Sequence, residues 1–166
     1  MEIKHVTHES IPPFINKDSK ILILGSLPSV KSLEYGFYYA HPQNKFFKLL
    51  AEVFNENEPK SIEERKEFLI KHQIALYDVI YECDICGSSD SSIKNVKAIN
   101  IKQLLEEYPN IKVIMTTGKK AKELYDRYLF RQCNIEAISL PSSSPANASI
   151  KMDKLIETYQ IIKTIY

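Results

Sequence analysis

The segment Tyr38-Tyr39-Ala40-His41-Pro42-Gln43-Asn44-Lys45-Phe46-Phe47 sets aromatic rings, a carboxamide and an ammonium ahead of an apolar-periodic stretch. An aromatic face can stack on a planar base, a carboxamide can hold a water or read a base edge, and a helix amino terminus favours phosphate. Each residue also has a plainer use. Asn44 is a natural helix N-cap, and a carboxamide oxygen committed to backbone N–H groups would have little freedom to orient water. Tyr39 is equally suited to the core, one of ten tyrosines to be placed. His41 fits a structural role before Pro42 as well as an acid-base one. Lys45 is suited to a phosphate contact, and to a Schiff base only if desolvated.

Two more segments carry polar groups at close spacing. Gly25-Ser26-Leu27-Pro28-Ser29 follows an apolar run and could present backbone donors, or simply leave a strand tightly. Leu140-Pro141-Ser142-Ser143-Ser144-Pro145 offers hydroxyls and N–H groups that can grip phosphates without reading sequence; the alternative is an ordinary Ser- and Pro-rich turn.

These groups need a scaffold, and hydrophobic periodicity supplies one. Ile21, Leu22, Ile23 and Leu24 form an unbroken apolar run ending at Gly25, the pattern of a strand buried on both faces. Residues 74–80 and 113–115 read the same way, and residues 135–140 as a last strand. Phe46, Phe47, Leu49, Leu50, Val53 and Phe54 recur at helical spacing, and Asn55 with Pro59 ends the pattern. Ser61 with Glu64 is a capping-box signature opening a helix to about His72. Residues 101–108, 119–130 and 150–165 read as further helices, and residues 87–92, which include Asp90, as a polar loop. Alternating strands and helices predict an α/β fold: a three-layer α/β/α sandwich around a mostly parallel four-stranded sheet, one domain spanning 1–166. In such sheets ligands bind beyond the carboxyl ends of the strands, so the loops after Leu24, Met115 and Leu140 should share one rim.

Composition sets bounds without choosing a function. The 22 Lys and Arg nearly balance the 21 Asp and Glu, so any phosphate-binding face must be local. No apolar run reaches the roughly 18 to 20 residues of a spanning helix, and the start of the chain is polar. Three cysteines, an odd number, do not suggest a disulfide framework, and the expectation is a cytoplasmic protein without membrane attachment. Cys83 and Cys86 form a C-x-x-C pair with too few further thiols for a metal site, so they read as two unlinked thiols. With no coiled-coil seam in view, a monomer is expected.

Taken together, Gly25-Ser26-Leu27-Pro28-Ser29, the Tyr38 to Phe47 segment and the Leu140 to Ala148 loop resemble the hypoxanthine-DNA glycosylase branch of the uracil-DNA glycosylase superfamily. Residues 74–80, 87–91 and Thr117-Gly118 are similar as well, so the resemblance covers most of the chain. It implies excision of a deaminated base from DNA by base flipping and attack of a positioned water, with no metal and no cofactor. In the mismatch-specific uracil enzymes an Asn of the first loop positions that water. Leu27 stands at the corresponding place and cannot. The hypoxanthine group relies instead on the Asn of its H-P-x-N motif, which is Asn44.

The same resemblance implies that Tyr39 stacks on the extruded base, with Gly25, Ser26, Leu27 and His41 around it. Lys45, Pro141, Ser142, Ser143 and Ser144 would contact DNA. Phe47 departs from the Trp that relatives often carry. Residues Ser144 to Asn147 offer candidates for a wedge that fills the vacated stack, without a choice among them. Two alternatives stay open: uracil or another deaminated base as substrate, and a non-catalytic DNA- or nucleotide-binding module on the same fold.

Overall fold

The computed structural model describes residues 3–86, 93–145 and 149–164. In chain order the elements are β1 (Ile3–Thr7), β2 (Ile21–Gly25), α1 (Val30–Tyr35), α2 (Phe46–Phe54), α3 (Ile62–Lys71), β3 (Ile74–Asp78) and β4 (Ile80–Cys86). They continue with β5 (Lys94–Ala98), α4 (Ile101–Glu107), β6 (Val113–Thr117), α5 (Lys119–Tyr128), α6 (Phe130–Cys133), β7 (Ile138–Leu140), α7 (Met152–Tyr159) and α8 (Ile161–Thr164).

Four strands form the central sheet in the order β3-β2-β6-β7, all parallel. Successive side chains of a strand point to opposite faces, yet Ile21, Leu22, Ile23 and Leu24 are all buried. Both faces of β2 are therefore covered, which makes the sheet the middle of three layers. Helix α3 packs against β3 and α5 against β6, while α2 contacts α7 and α8. Helix α2 buries Phe46, Phe47, Leu49, Leu50 and Val53, the positions its periodicity marks for the core. Helix α3 opens with the capping box, Ser61 Oγ accepting from the Glu64 N–H at 3.0 Å.

The apolar run 74–80 is not one strand. It breaks at Val79, where the Val79 and Ile80 N–H groups donate to the Gly25 and Ser26 carbonyls. The chain then leaves the central sheet as β4, the middle strand of an antiparallel sheet ordered β1-β4-β5. This second sheet was not legible in the sequence because its outer strands, β1 and β5, are polar and half exposed. They are joined instead by cross-strand pairs, His5 bonding both Glu82 and Asp84 at 3.0 and 2.9 Å. Other differences are of length: the last strand shrinks to Ile138–Leu140, and the two final helical stretches each divide into a longer helix and a short turn. The polar loop 87–92 lies outside the described residues, as do three residues of the final loop, 146–148.

Candidate active site

The rim expected from topology is present. The loops leaving β2, β6 and β7 line one cleft of about 300 Å³ with the segment that precedes α2. Parallel pairing makes this convergence, since it brings the carboxyl ends of β3, β2, β6 and β7 to the same edge.

The approach to α2 is a knot of short-range bonds. His41 carbonyl accepts from the Asn44 N–H at 2.9 Å, and His41 Nδ1 accepts from the Gln43 N–H at 3.0 Å. A neutral His41 therefore carries its proton on Nε2. The turn delivers Asn44, whose Oδ1 accepts two bonds of 2.9 Å, from the Phe46 N–H and from Ser143 Oγ. A backbone N–H can only donate, so this bond fixes which end of the carboxamide is oxygen. The N-cap of α2 is Lys45, so Asn44 stands one residue ahead of the capping position expected for it. Its Oδ1 ties the Phe46 N–H to the last loop, and Nδ2, without a hydrogen-bond partner among the described residues, is the polar group that Asn44 has left for the cleft it lines.

Tyr39 is held in the left-handed region, at φ 54°, a conformation costing a non-glycine residue roughly 1–3 kcal/mol. Two contacts offset the strain. Its ring stacks on Phe46 at 3.8 Å and 11°, and its hydroxyl bonds Thr117 Oγ1 at 3.0 Å. One ring face is consumed by Phe46, and the remaining surface of Tyr39 borders the cleft. Burial raises the Tyr38 and Tyr39 phenols well above their ordinary range, so both stay neutral.

The other expected residues fall into two groups. Gly25, Ser26, Leu27, His41, Ser142, Ser143 and Ser144 border the cleft with Asn44 and Tyr39. Ser143 is buried, Ser142 Oγ accepts from the Ser144 N–H at 3.1 Å, and the Lys45 N–H donates to the Ser143 carbonyl at 3.1 Å. Pro141 and Lys45 stand outside the lining. The Pro141 carbonyl accepts from the Tyr159 hydroxyl at 2.6 Å, which fastens the loop to α7.

Sequence reasoning missed the one carboxylate among the described residues of the lining. Asp78 ends β3 opposite Gly25 and is 5% exposed. Its Oδ2 lies 2.9 Å from His8 Nε2, and His8 Nδ1 lies 2.9 Å from the Ile11 carbonyl. A Cβ at Gly25 would collide with Asp78 Oδ1, so the glycine is what makes room for the acid. The available signal was an acid closing an apolar run at the carboxyl end of a strand, where a purely structural strand has no use for one. His8 gave no signal, since only the fold joins it to Asp78 across 70 residues. Among the described residues there is no group of three or more His, Cys, Asp and Glu placed to hold a metal ion.

The chain is similar in sequence and fold to known proteins. The uracil DNA glycosylase superfamily matches residues 12–163. A hypoxanthine DNA glycosylase of Methanosarcina barkeri is 36% identical over 140 residues, covering 84% of this chain and 87% of the relative. One of Methanosarcina acetivorans is 37% identical over 137 residues, covering 82% and 85%. A solution NMR structure of a candidate uracil DNA glycosylase from Methanosarcina acetivorans superposes with a TM-score of 0.77 at 31% identity, covering 92% of this chain and 96% of that one. With a family match over nearly its whole length, relatives above 30% identity and the same fold around one strand-end cleft, the chain belongs to the uracil DNA glycosylase superfamily.

Proposed function

We propose that this chain is a monofunctional DNA glycosylase that hydrolyses the N-glycosidic bond of a deaminated base, hypoxanthine foremost. The observation that carries the reading is Asn44, locked by Ser143 and the Phe46 N–H through Oδ1, lining one cleft with Tyr39. The two curated relatives, both hypoxanthine DNA glycosylases, support the choice of base.

In this reading the damaged nucleotide swings out of the duplex and its base enters the cleft against Tyr39, among Gly25, Ser26, Leu27 and His41. Ser142, Ser143, Ser144, Pro141 and Lys45 belong to the surface that meets the DNA backbone. Water attacks the anomeric carbon as the bond to the base breaks, the electron pair leaves with the base, and the proton that the water gives up ends on the departing base by way of solvent. With Oδ1 committed, Asn44 cannot take the water's proton. It acts as a donor, aimed at negative charge gathering on the departing base or at the oxygen of the water. Water and oriented dipoles suffice for this chemistry without metal or redox cofactor, and one domain acting as a monomer can enclose one flipped nucleotide. No described helix is long and apolar enough to cross a membrane; a cytoplasmic site of action is part of the same proposal.

The test is cleavage of labelled DNA carrying one hypoxanthine, beside uracil and undamaged controls, in chelator, with alkaline scission of abasic sites. Wild type should cut the hypoxanthine strand and folded Asn44→Ala should not. Uracil-selective cutting would change the substrate and keep the activity. No cutting of any base would favour a binding module on this fold.

A further inference from the structure

We propose that a second cavity, on the far side of β3 from the cleft, is a nucleotide-binding site whose tyrosines receive the base and whose Lys97 receives the phosphate. The site stands apart from the glycosylase reading, because the two cavities share no lining residue.

Its place follows from strand geometry. Successive side chains of a strand point to opposite faces, so Tyr77 and Asp78, the last two residues of β3, serve different spaces. Asp78 lines the cleft. Tyr77 lines a cavity of about 490 Å³, which Tyr81 of β4, Lys97 of β5, Glu107 of α4 and Tyr108 also border. That volume falls within the roughly 300–1,000 Å³ of small-molecule sites.

The Tyr77 hydroxyl is what marks the cavity as built for a ligand. Tyr77 is 8% exposed, and a buried phenol ordinarily finds an acceptor. The other buried tyrosines among the described residues all do. Tyr38 donates to the Pro12 carbonyl at 2.9 Å, Tyr125 to Ile135 at 2.6 Å and Tyr159 to Pro141 at 2.6 Å. Tyr77 alone has no partner among the described residues. Its hydroxyl is not sealed in either: the side-chain polar atom that is both unpaired and wholly enclosed among those residues is Thr116 Oγ1. The phenol therefore opens on the cavity that Tyr77 lines. Burial pushes its pKa up to about 12, so it keeps its proton and offers a donor.

The remaining wall decides the class of ligand. The Tyr108 side chain has neither a hydrogen bond nor a ring contact among the described residues, which leaves its ring free to stack. Lys97 Nζ lies 5.9 Å from the centre of the Tyr81 ring and 3.7 Å from Glu82, a loose and exposed pair that holds the ammonium weakly. Glu107 accepts from Gln103 Nε2 through Oε1 at 3.2 Å and keeps Oε2 for another donor. An apolar ligand would leave the Tyr77 hydroxyl as unpaired as before. A nucleotide answers each group: its base has flat faces for the rings, a ring nitrogen to accept from Tyr77 and an amino group to donate to Glu107, and its phosphate is the anion for Lys97.

The experiment is calorimetric titration of the full chain with adenosine monophosphate, whose base is not deaminated. Wild type should bind it at one saturable site. Tyr77→Phe removes only the donor and should weaken binding by about fivefold to tenfold. It breaks no hydrogen bond of the free protein and should melt close to wild type, so it carries the test if other variants unfold. Tyr108→Ala should lose about fivefold or more through lost stacking, and Lys97→Gln should bind more weakly with a flatter salt dependence. Asn44→Ala, altered in the cleft, should bind adenosine monophosphate like wild type. A short undamaged single strand of deoxyadenosines, added as competitor, tells the two sources of this chemistry apart. Displacement that Tyr77→Phe weakens would assign the site to a base within a strand, and no displacement to a free nucleotide. The proposal would be overturned by the absence of saturable binding, by a Tyr77→Phe that binds like wild type, or by binding lost in Asn44→Ala. Binding of a proline-rich peptide in place of the nucleotide, the other ligand that aromatic-lined grooves take, would overturn it as well.

Discussion

Ser143 Oγ donates a 2.9 Å hydrogen bond to Asn44 Oδ1, joining two residues 99 positions apart in the chain. Together with the Phe46 N–H on the same oxygen, it turns a flexible carboxamide into a fixed donor. Preorganisation of this kind removes the reorganisation that a donor in water would undergo as charge develops.

Asn44→Asp separates the two halves of that role. A carboxylate still accepts from the Phe46 N–H and Ser143 Oγ, and negative charge suits the start of α2. Only the Nδ2 donor is lost. The variant should melt within a few degrees of wild type while single-turnover cleavage falls by about 100-fold or more. Asn44→Ala should also lose the bonds that Oδ1 accepts from the Phe46 N–H and Ser143 Oγ, at about 1 kcal/mol. Full activity in Asn44→Asp would show that the donor is not used.

Gly25→Ala drives a methyl group into Asp78 Oδ1. Asp78 cannot swing away freely because Oδ2 is bound to His8. Lower stability and at least tenfold slower cleavage are expected, roughly 1.4 kcal/mol or more in the barrier. Pairing the change with Asp78→Ala should restore part of the stability and none of the cleavage, a non-additivity that denaturant melts of the four proteins would measure. Additive losses would mean the two sites do not meet.

Thr116 is fully buried, and its Oγ1 has no hydrogen-bond partner among the described residues. Thr116→Val keeps the shape and removes the unpaired hydroxyl, which should stabilise the protein by about 1 kcal/mol. Chemical denaturation reads this directly as a higher midpoint at unchanged slope. A lower midpoint would reveal a partner for the hydroxyl.

His72 gives stability a pH dependence far from the cleft. Its ring stacks on Phe54 at 3.8 Å, with Nε2 2.6 Å from Glu56 Oε2. Burial lowers its pKa from the ordinary 6.5, against the pull of Glu56. Burial also works against the Glu56 carboxylate, yet hydrogen bonds from Lys71 and His72 outweigh it and hold Glu56 below its usual range. Both depressed groups bind protons more readily in the unfolded chain. Stability is therefore present above about pH 6.5 and is lost as pH falls through the folded-state values. Thermal melts at falling pH should show it, with a shallower slope in His72→Gln; a melting point that rises on acidification would contradict the sign.

The scaffold of the site was readable because burial writes itself into apolar patterns. The unbroken run at 21–24, closed by Gly25, has the pattern of a strand covered on both faces, and the spacing from Phe46 to Phe54 has that of a helix burying one stripe. The second sheet left no such trace. Strands β1 and β5 are half solvated and rich in Lys, His and Asn, held by pairing to β4 rather than by burial of their own. The break at Val79 was equally hidden, since backbone bonds to Gly25 and Ser26 make it and no side chain announces it.

By itself the sequence determined the parallel sheet, the three loops that share a rim, and the motif residues Asn44, Tyr39 and Ser143 as members of one site. The sheet and the rim follow from local periodicity and from the rule that parallel strands deliver their carboxyl ends to one edge, and the three site residues from the resemblance of their motifs to the glycosylase family. Tertiary structure alone decided what each group can do there. It spent Asn44 Oδ1 on Ser143 and Phe46, covered one face of Tyr39 with Phe46, and set His8 beside Asp78 under a glycine. Hydrogen-bond capacity and exposed ring faces are finite, and which partner consumes them depends on contacts between segments tens of residues apart, which no local pattern encodes.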